Sequence, residues 1–127
     1  MNLFLRFWLA VVFLPALAFA GAGPLNTLVV VNGNSRDSRA LGAYYLEKHG
    51  IPESHLCTVK VDPRAPSISQ AEFERDLRDP IRAHLANNGL EGQIHFLVLC
   101  LDFPSRVEPF NGLPAALFYG FKAATPG

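Results

Sequence analysis

Leu25-Asn26-Thr27-Leu28-Val29-Val30-Val31-Asn32-Gly33-Asn34 decides the fold class. Leu28 to Val31 is an unbroken apolar, mostly β-branched run, and Asn-Gly-Asn after it is turn chemistry. A half-exposed strand would alternate polar and apolar residues. This one does not, so it is expected to be covered on both faces, as strands of parallel sheets are.

The residues that follow predict a helix. Asn34, Ser35 or Ser38 can cap its start, and Asp37 suits the positive end of its dipole. Leu41, Tyr44 and Tyr45 fall at helical spacing, and Gly50 after Lys48-His49 supplies the stop. Leu56 to Val61 reads as a second, weaker strand ending at Asp62-Pro63, and residues 63–67 read as a loop. Ser69-Gln70-Ala71-Glu72 is a capping box. Behind it Phe73, Leu77, Ile81 and Leu85 recur every four residues as one apolar stripe. Asp79-Pro80 either starts a fresh helix or kinks a single one. Ile94 to Leu101 gives the strongest strand signal and stops at Asp102-Phe103-Pro104.

Strand, helix, strand, helix, strand predicts the α/β class. The expected architecture is a Rossmann-like parallel β-α-β-α-β sheet, an incomplete three-layer sandwich. Three strands cover such a sheet poorly, and the aromatic cluster Leu117-Phe118-Tyr119-Gly120-Phe121 closes the chain abruptly. Residues 21–127 therefore read as the N-terminal portion of a longer α/β domain, or as one that needs a partner.

Residues 1–20 read as a cleavable signal peptide. Arg6 is followed by an uncharged apolar run from Phe7 to Ala20, and Ala18-Phe19-Ala20 is the small-x-small pattern of a cleavage site. The run is shorter than the roughly 20 residues a membrane-spanning helix needs. The expected destination is the periplasm or the exterior, with membrane contact only through this segment before cleavage. An uncleaved membrane anchor is the alternative.

The whole chain has 11 basic and 11 acidic residues. Cleavage after Ala20 removes Arg6 and leaves a net charge of −1 with histidines neutral. No basic nucleic-acid-binding face follows from that balance. Cys57 and Cys100 raise the question of a disulfide in an exported protein. Cys57 opens the second strand and Cys100 lies near the end of the third, so they are expected at opposite ends of a parallel sheet and unpaired. Neither has a second ligand at zinc-site spacing, and no metal site or cofactor is expected.

In open α/β sheets ligands bind beyond the carboxyl ends of the strands. That rule selects the loops 32–38, 62–64 and 102–106. Candidate binding residues are Asn32, Asn34, Ser35 and Ser38 at a helix start, where free N–H groups favour an anion, with Asp102 and Arg106 after the third strand. Plain helix capping by the first group, and a turn-forming Asp102 or an Asp102–Arg106 pair, are the competing readings. Neither G-x-G-x-x-G nor G-x-x-x-x-G-K-[ST] is present, so nucleotide binding is not indicated. His49, His55, His84 and His95 form no constellation and read as surface or structural residues. The charges of the second helix, Arg75, Arg78 and Arg82 among them, read as its solvated face.

Taken together, Val29-Val30-Val31-Asn32, the segment Tyr44-Tyr45-Leu46-Glu47-Lys48-His49-Gly50-Ile51-Pro52, Ser69-Gln70-Ala71-Glu72-Phe73, Asp79-Pro80-Ile81, Leu97-Val98-Leu99-Cys100 and Ala116-Leu117-Phe118-Tyr119-Gly120-Phe121-Lys122 resemble an uncharacterised family of exported bacterial proteins. That family co-occurs with the exosortase (PEP-CTERM) sorting system. The resemblance spans most of residues 27–122 and implies a cell-envelope setting, a longer chain and no established activity. A more distant likeness is to caspase–gingipain-type cysteine peptidases. Those carry a His after the third strand, where this chain has Asp102-Phe103-Pro104-Ser105-Arg106. The expected function is that of an exported α/β protein linked to envelope sorting. The alternatives are a peptidase-type hydrolase completed by further sequence, and a small-anion-binding module.

Overall fold

The computed structural model describes residues 21–109 and 111–121. The signal-peptide segment lies outside the described residues. The elements run β1 (Thr27–Asn32), α1 (Arg36–His49), β2 (Leu56–Val59), β3 (Ser67–Ile68), α2 (Gln70–Phe73), α3 (Asp79–Asn87), β4 (Phe96–Leu99), β5 (Arg106–Val107), β6 (Asn111–Gly112) and α4 (Leu113–Tyr119). The chain is mixed α/β, with a parallel three-stranded sheet in the order β2-β1-β4. A second small sheet, β3-β5-β6, is parallel on one side of β5 and antiparallel on the other.

β1 is buried at every residue because it is the central strand. Its side chains alternate between two faces, and a separate cluster meets each. Leu28 and Val30 pack with Cys57, Val59, Phe73, Leu77 and Ile81. Val29 and Val31 pack with Leu46, Ile51 and Cys100. The burial expected from the opening run is therefore met, with α1 against one face and the α2–α3 run against the other.

The third predicted strand differs from expectation. β4 covers only residues 96–99, lies at the sheet edge and is half-buried, with Phe96 40% exposed. An apolar run reads alike in a central and an edge strand, because the pattern carries burial but not strand order. Asp102 thus follows an edge strand, and β1 is the most buried one.

α1 starts where Ser35 accepts from the Ser38 N–H and stops at Gly50, whose φ of 63° is a left-handed cap. Its buried face is Ser38, Gly42 and Leu46; of the expected Leu41, Tyr44 and Tyr45, only Tyr45 packs against the core, half-buried, while Leu41 and Tyr44 are exposed. Gly42 explains the rotation. A Cβ there would overlap Val31 Cγ1, so this helix approaches β1 more closely than any side chain allows. In a helix interior Gly→Ala normally gains about 0.5–1 kcal/mol. Gly42→Ala is expected instead to lose about 1–3 kcal/mol through overpacking. Urea unfolding of Gly42→Ala with and without Val31→Ala checks this. The second substitution should recover part of the loss, and a stabilised single variant would contradict the close approach.

α3 starts at Asp79 with Pro80 in its first turn, as one of the two expectations had it, but Asp79 is not its cap and no loop separates it from the turn before. α2 opens with the expected capping box and passes through a π turn, Glu74–Arg78, directly into α3. The Asp79 N–H donates to the Glu74 carbonyl, five residues back. Side chains four apart drift by about 40° per step around a regular α-helix. The wider π turn offsets that drift and keeps Phe73, Leu77 and Ile81 buried together.

The cysteines are free and buried, but not for the expected reason. Val30 is level with Cys57 on one side and with Leu99 on the other, so Cys57 and Cys100 lie at nearly the same height in the sheet. β1 separates their strands, which sets them about 10 Å apart, beyond the roughly 7 Å a disulfide spans. They also belong to clusters on opposite faces. Burial pushes the Cys57 thiol up to about 11 and raises that of Cys100 as well, so neither is primed as a thiolate nucleophile.

Candidate functional site

From β1 the chain moves to β2 on one side and later to β4 on the other. β1 and β4 are therefore neighbours at which the chain order reverses, and the carboxyl ends of such a pair form the usual ligand crevice of an open α/β sheet. Asn32 ends β1 there, and Asp102 lies three residues past β4.

A polar network joins them. Asn32 is fully buried, and its Nδ2 donates to the Asp102 carbonyl at 2.8 Å. Its Oδ1 accepts from the backbone N–H of Asn34 at 3.0 Å and of Val61 at 3.3 Å. The Asn32 N–H donates to Ser38 Oγ at 2.8 Å. Ser35 Oγ accepts from the Ser38 N–H at 3.0 Å and donates to Asp102 Oδ2 at 2.6 Å. Asn34 Nδ2 donates to the Val61 carbonyl at 3.1 Å. Asn32, Asn34, Ser35, Ser38 and Asp102 are thereby brought into one cluster.

Asp102 holds φ 64°, and among the described residues it is the one non-glycine with a positive φ. The left-handed region costs an L residue about 1–2 kcal/mol, and Asp is among the few that visit it. That backbone lets the carbonyl face Asn32 while the exposed carboxylate reaches Ser35.

Arg106 is not part of the cluster. It lies in β5, level with Ser67 and Gly112, and forms no ion pair with Asp102. The loop after β2 contributes through the backbone of Val61, which sequence reasoning did not select. A buried apolar residue before Asp62-Pro63 carries no sign that its peptide group serves a neighbouring loop.

The network already uses three of the amides around this helix start. The Asn34, Ser35 and Ser38 N–H groups are all engaged within the chain, by Asn32 Oδ1, the Asn32 carbonyl and Ser35 Oγ. Two carboxylates, Asp37 and Asp102, lie at this helix start. Among the described residues no histidine bonds to the cluster. His55 is buried at the opposite end, its Nδ1 3.0 Å from the Thr27 carbonyl, and His84 Nε2 lies 2.8 Å from the Ser54 carbonyl. Among the described residues no cluster of three or more His, Cys, Asp or Glu is arranged to hold a metal ion.

No family model, curated protein or solved structure matches this chain. The charged group the cluster offers to an incoming molecule is the carboxylate of exposed Asp102, held on one oxygen by Ser35. It is a hydrogen-bond acceptor with a negative charge, suited to a hydroxyl or ammonium group and unsuited to an anion.

Proposed function

We propose that this chain belongs to an exported Rossmann-like α/β domain of three-layer type, working in the bacterial cell envelope in connection with protein sorting. Its ligand edge lies at the carboxyl ends of β1 and β4, where Asp102 receives a hydroxyl- or ammonium-bearing group. The observation that carries the site is the Ser35–Asp102 bond at the point where strand order reverses. What supports the envelope setting is the Arg6-led apolar run ending in Ala18-Phe19-Ala20, with the resemblance to exosortase-associated proteins. No described helix is long and apolar enough to cross a membrane, which is compatible with this reading but does not argue for it.

Expression of the full chain in a bacterial host tests the destination. The product in the periplasmic fraction should begin at Gly21 by N-terminal sequencing. Retention in the cytosol with Met1 or Asn2 at the terminus would sink the export reading. For the site, inorganic phosphate is expected to leave the melting temperature unchanged. A phosphate-dependent rise would instead restore an anion site at the start of α1.

A further inference from the structure

We propose that a second site, a cleft between α3, α4 and the start of β4, binds a free medium-chain alkyl carboxylate. It goes beyond the function proposed above and lies at the other end of the sheet from Asp102. Ile81, Leu85, Ile94, Leu97, Leu117 and Phe118 form its apolar lining, and Arg82 is among its polar neighbours. Phe118 is 56% exposed, a large apolar ring that the described residues leave partly uncovered.

The two arginines of the cleft differ. Arg78 is held by Glu74 at 3.0 Å and by Asp79 at 2.9 Å, so its charge is balanced within the helix. Arg82, one turn on, has no ion-pair or hydrogen-bond partner among the described residues. An uncompensated guanidinium beside an apolar hollow complements a molecule with an alkyl body and a carboxylate head, which it can bind through two parallel hydrogen bonds.

Size sets the chain length. The cleft, open to solvent on one side, offers about 210 Å³. At roughly 30 Å³ per water-sized group it holds about seven such groups, which matches the chain of octanoate rather than a bilayer acyl chain. The occupant that fills this space and places its head at Arg82 is the free acid.

Calorimetric titration of the full chain with straight-chain carboxylates tests this. From butanoate to octanoate each added methylene should tighten binding about fourfold, levelling off beyond it. Octanol should bind about tenfold more weakly than octanoate, and Arg82→Gln should bring octanoate down to the level of octanol. Arg82→Lys should keep most of the preference, since it keeps the charge. Equal affinity for octanoate and octanol, or octanoate binding indifferent to Arg82→Gln, would overturn the proposal, because occupancy of the apolar segment 1–20 would behave that way. Binding to phosphatidylcholine vesicles without octanoate binding would overturn it too.

Discussion

Asn32→Ala is expected to lower the unfolding free energy by about 2–3 kcal/mol, from the buried Val61 N–H and the part-buried Asp102 carbonyl losing their partner at about 1–3 kcal/mol for a fully buried group and less for the other. Asn32 is fully buried and serves three groups at once. Its side chain meets the Asp102 carbonyl, the Asn34 N–H and the Val61 N–H. Alanine leaves the Val61 N–H and the Asp102 carbonyl without the side chain that joins them. Urea unfolding measures the effect, and an unchanged dependence on denaturant would assign it to the native state. Asn32→Asp separates the two halves of the amide. It keeps the acceptor for Val61 but loses the donor to Asp102 and places a charge in a buried site near a second carboxylate. Its destabilisation should therefore shrink as pH falls and the new carboxyl protonates. A loss below 1 kcal/mol for Asn32→Ala would mean that the loops 32–38 and 102–106 are joined by something other than this side chain.

The same residue shows what sequence could convey about the site. A polar side chain closing a wholly apolar strand, followed by helix-capping residues, singled out Asn32, Asn34, Ser35 and Ser38. The rule that ligands gather at strand carboxyl ends added Asp102. These are local signals, each set by a residue and its near neighbours. Arg106 was selected by the same rule and fails it. Its position depends on two-residue strands pairing Ser67 with Arg106 and Arg106 with Gly112. Strands that short have no periodicity to read, and their partners lie far away in sequence.

The fold divides similarly. β1, the Ser35 cap, the capping box at Ser69 and the Gly50 stop were legible because each has a chemical cause within a few residues. The buried face of α1 was not. Leu41 and Tyr44 carry the apolar mass, yet Gly42 faces the sheet because only a residue without a side chain admits that approach. Hydrophobicity ranks glycine as neutral, so the pattern points the wrong way. The edge position of β4 was hidden for another reason. Strand order follows from which connections cross the sheet, a property of the whole chain.

The α2–α3 stripe joins both kinds of information, and Phe73→Ala is its test, with an expected loss of about 3–5 kcal/mol. Phe73 is fully buried under the sheet, with the Phe121 ring edge-on at a centroid distance of 5.5 Å and an angle of 86°. Removing the ring leaves a cavity among Leu28, Val30 and Leu77, side chains fixed by the central strand and by the π turn. For a domain whose total stability is about 5–15 kcal/mol this is a large fraction. Phe121→Ala should cost less, since Phe121 is only partly buried. A double-mutant cycle between the two rings should return a coupling of about 0.5–1.5 kcal/mol for the edge-to-face pair. Equal losses for the two single variants would show that Phe73 is not the anchor of the helix. In that case the four-residue spacing, and the π turn that preserves it, would have no energetic purpose in seating α2 and α3 on the sheet.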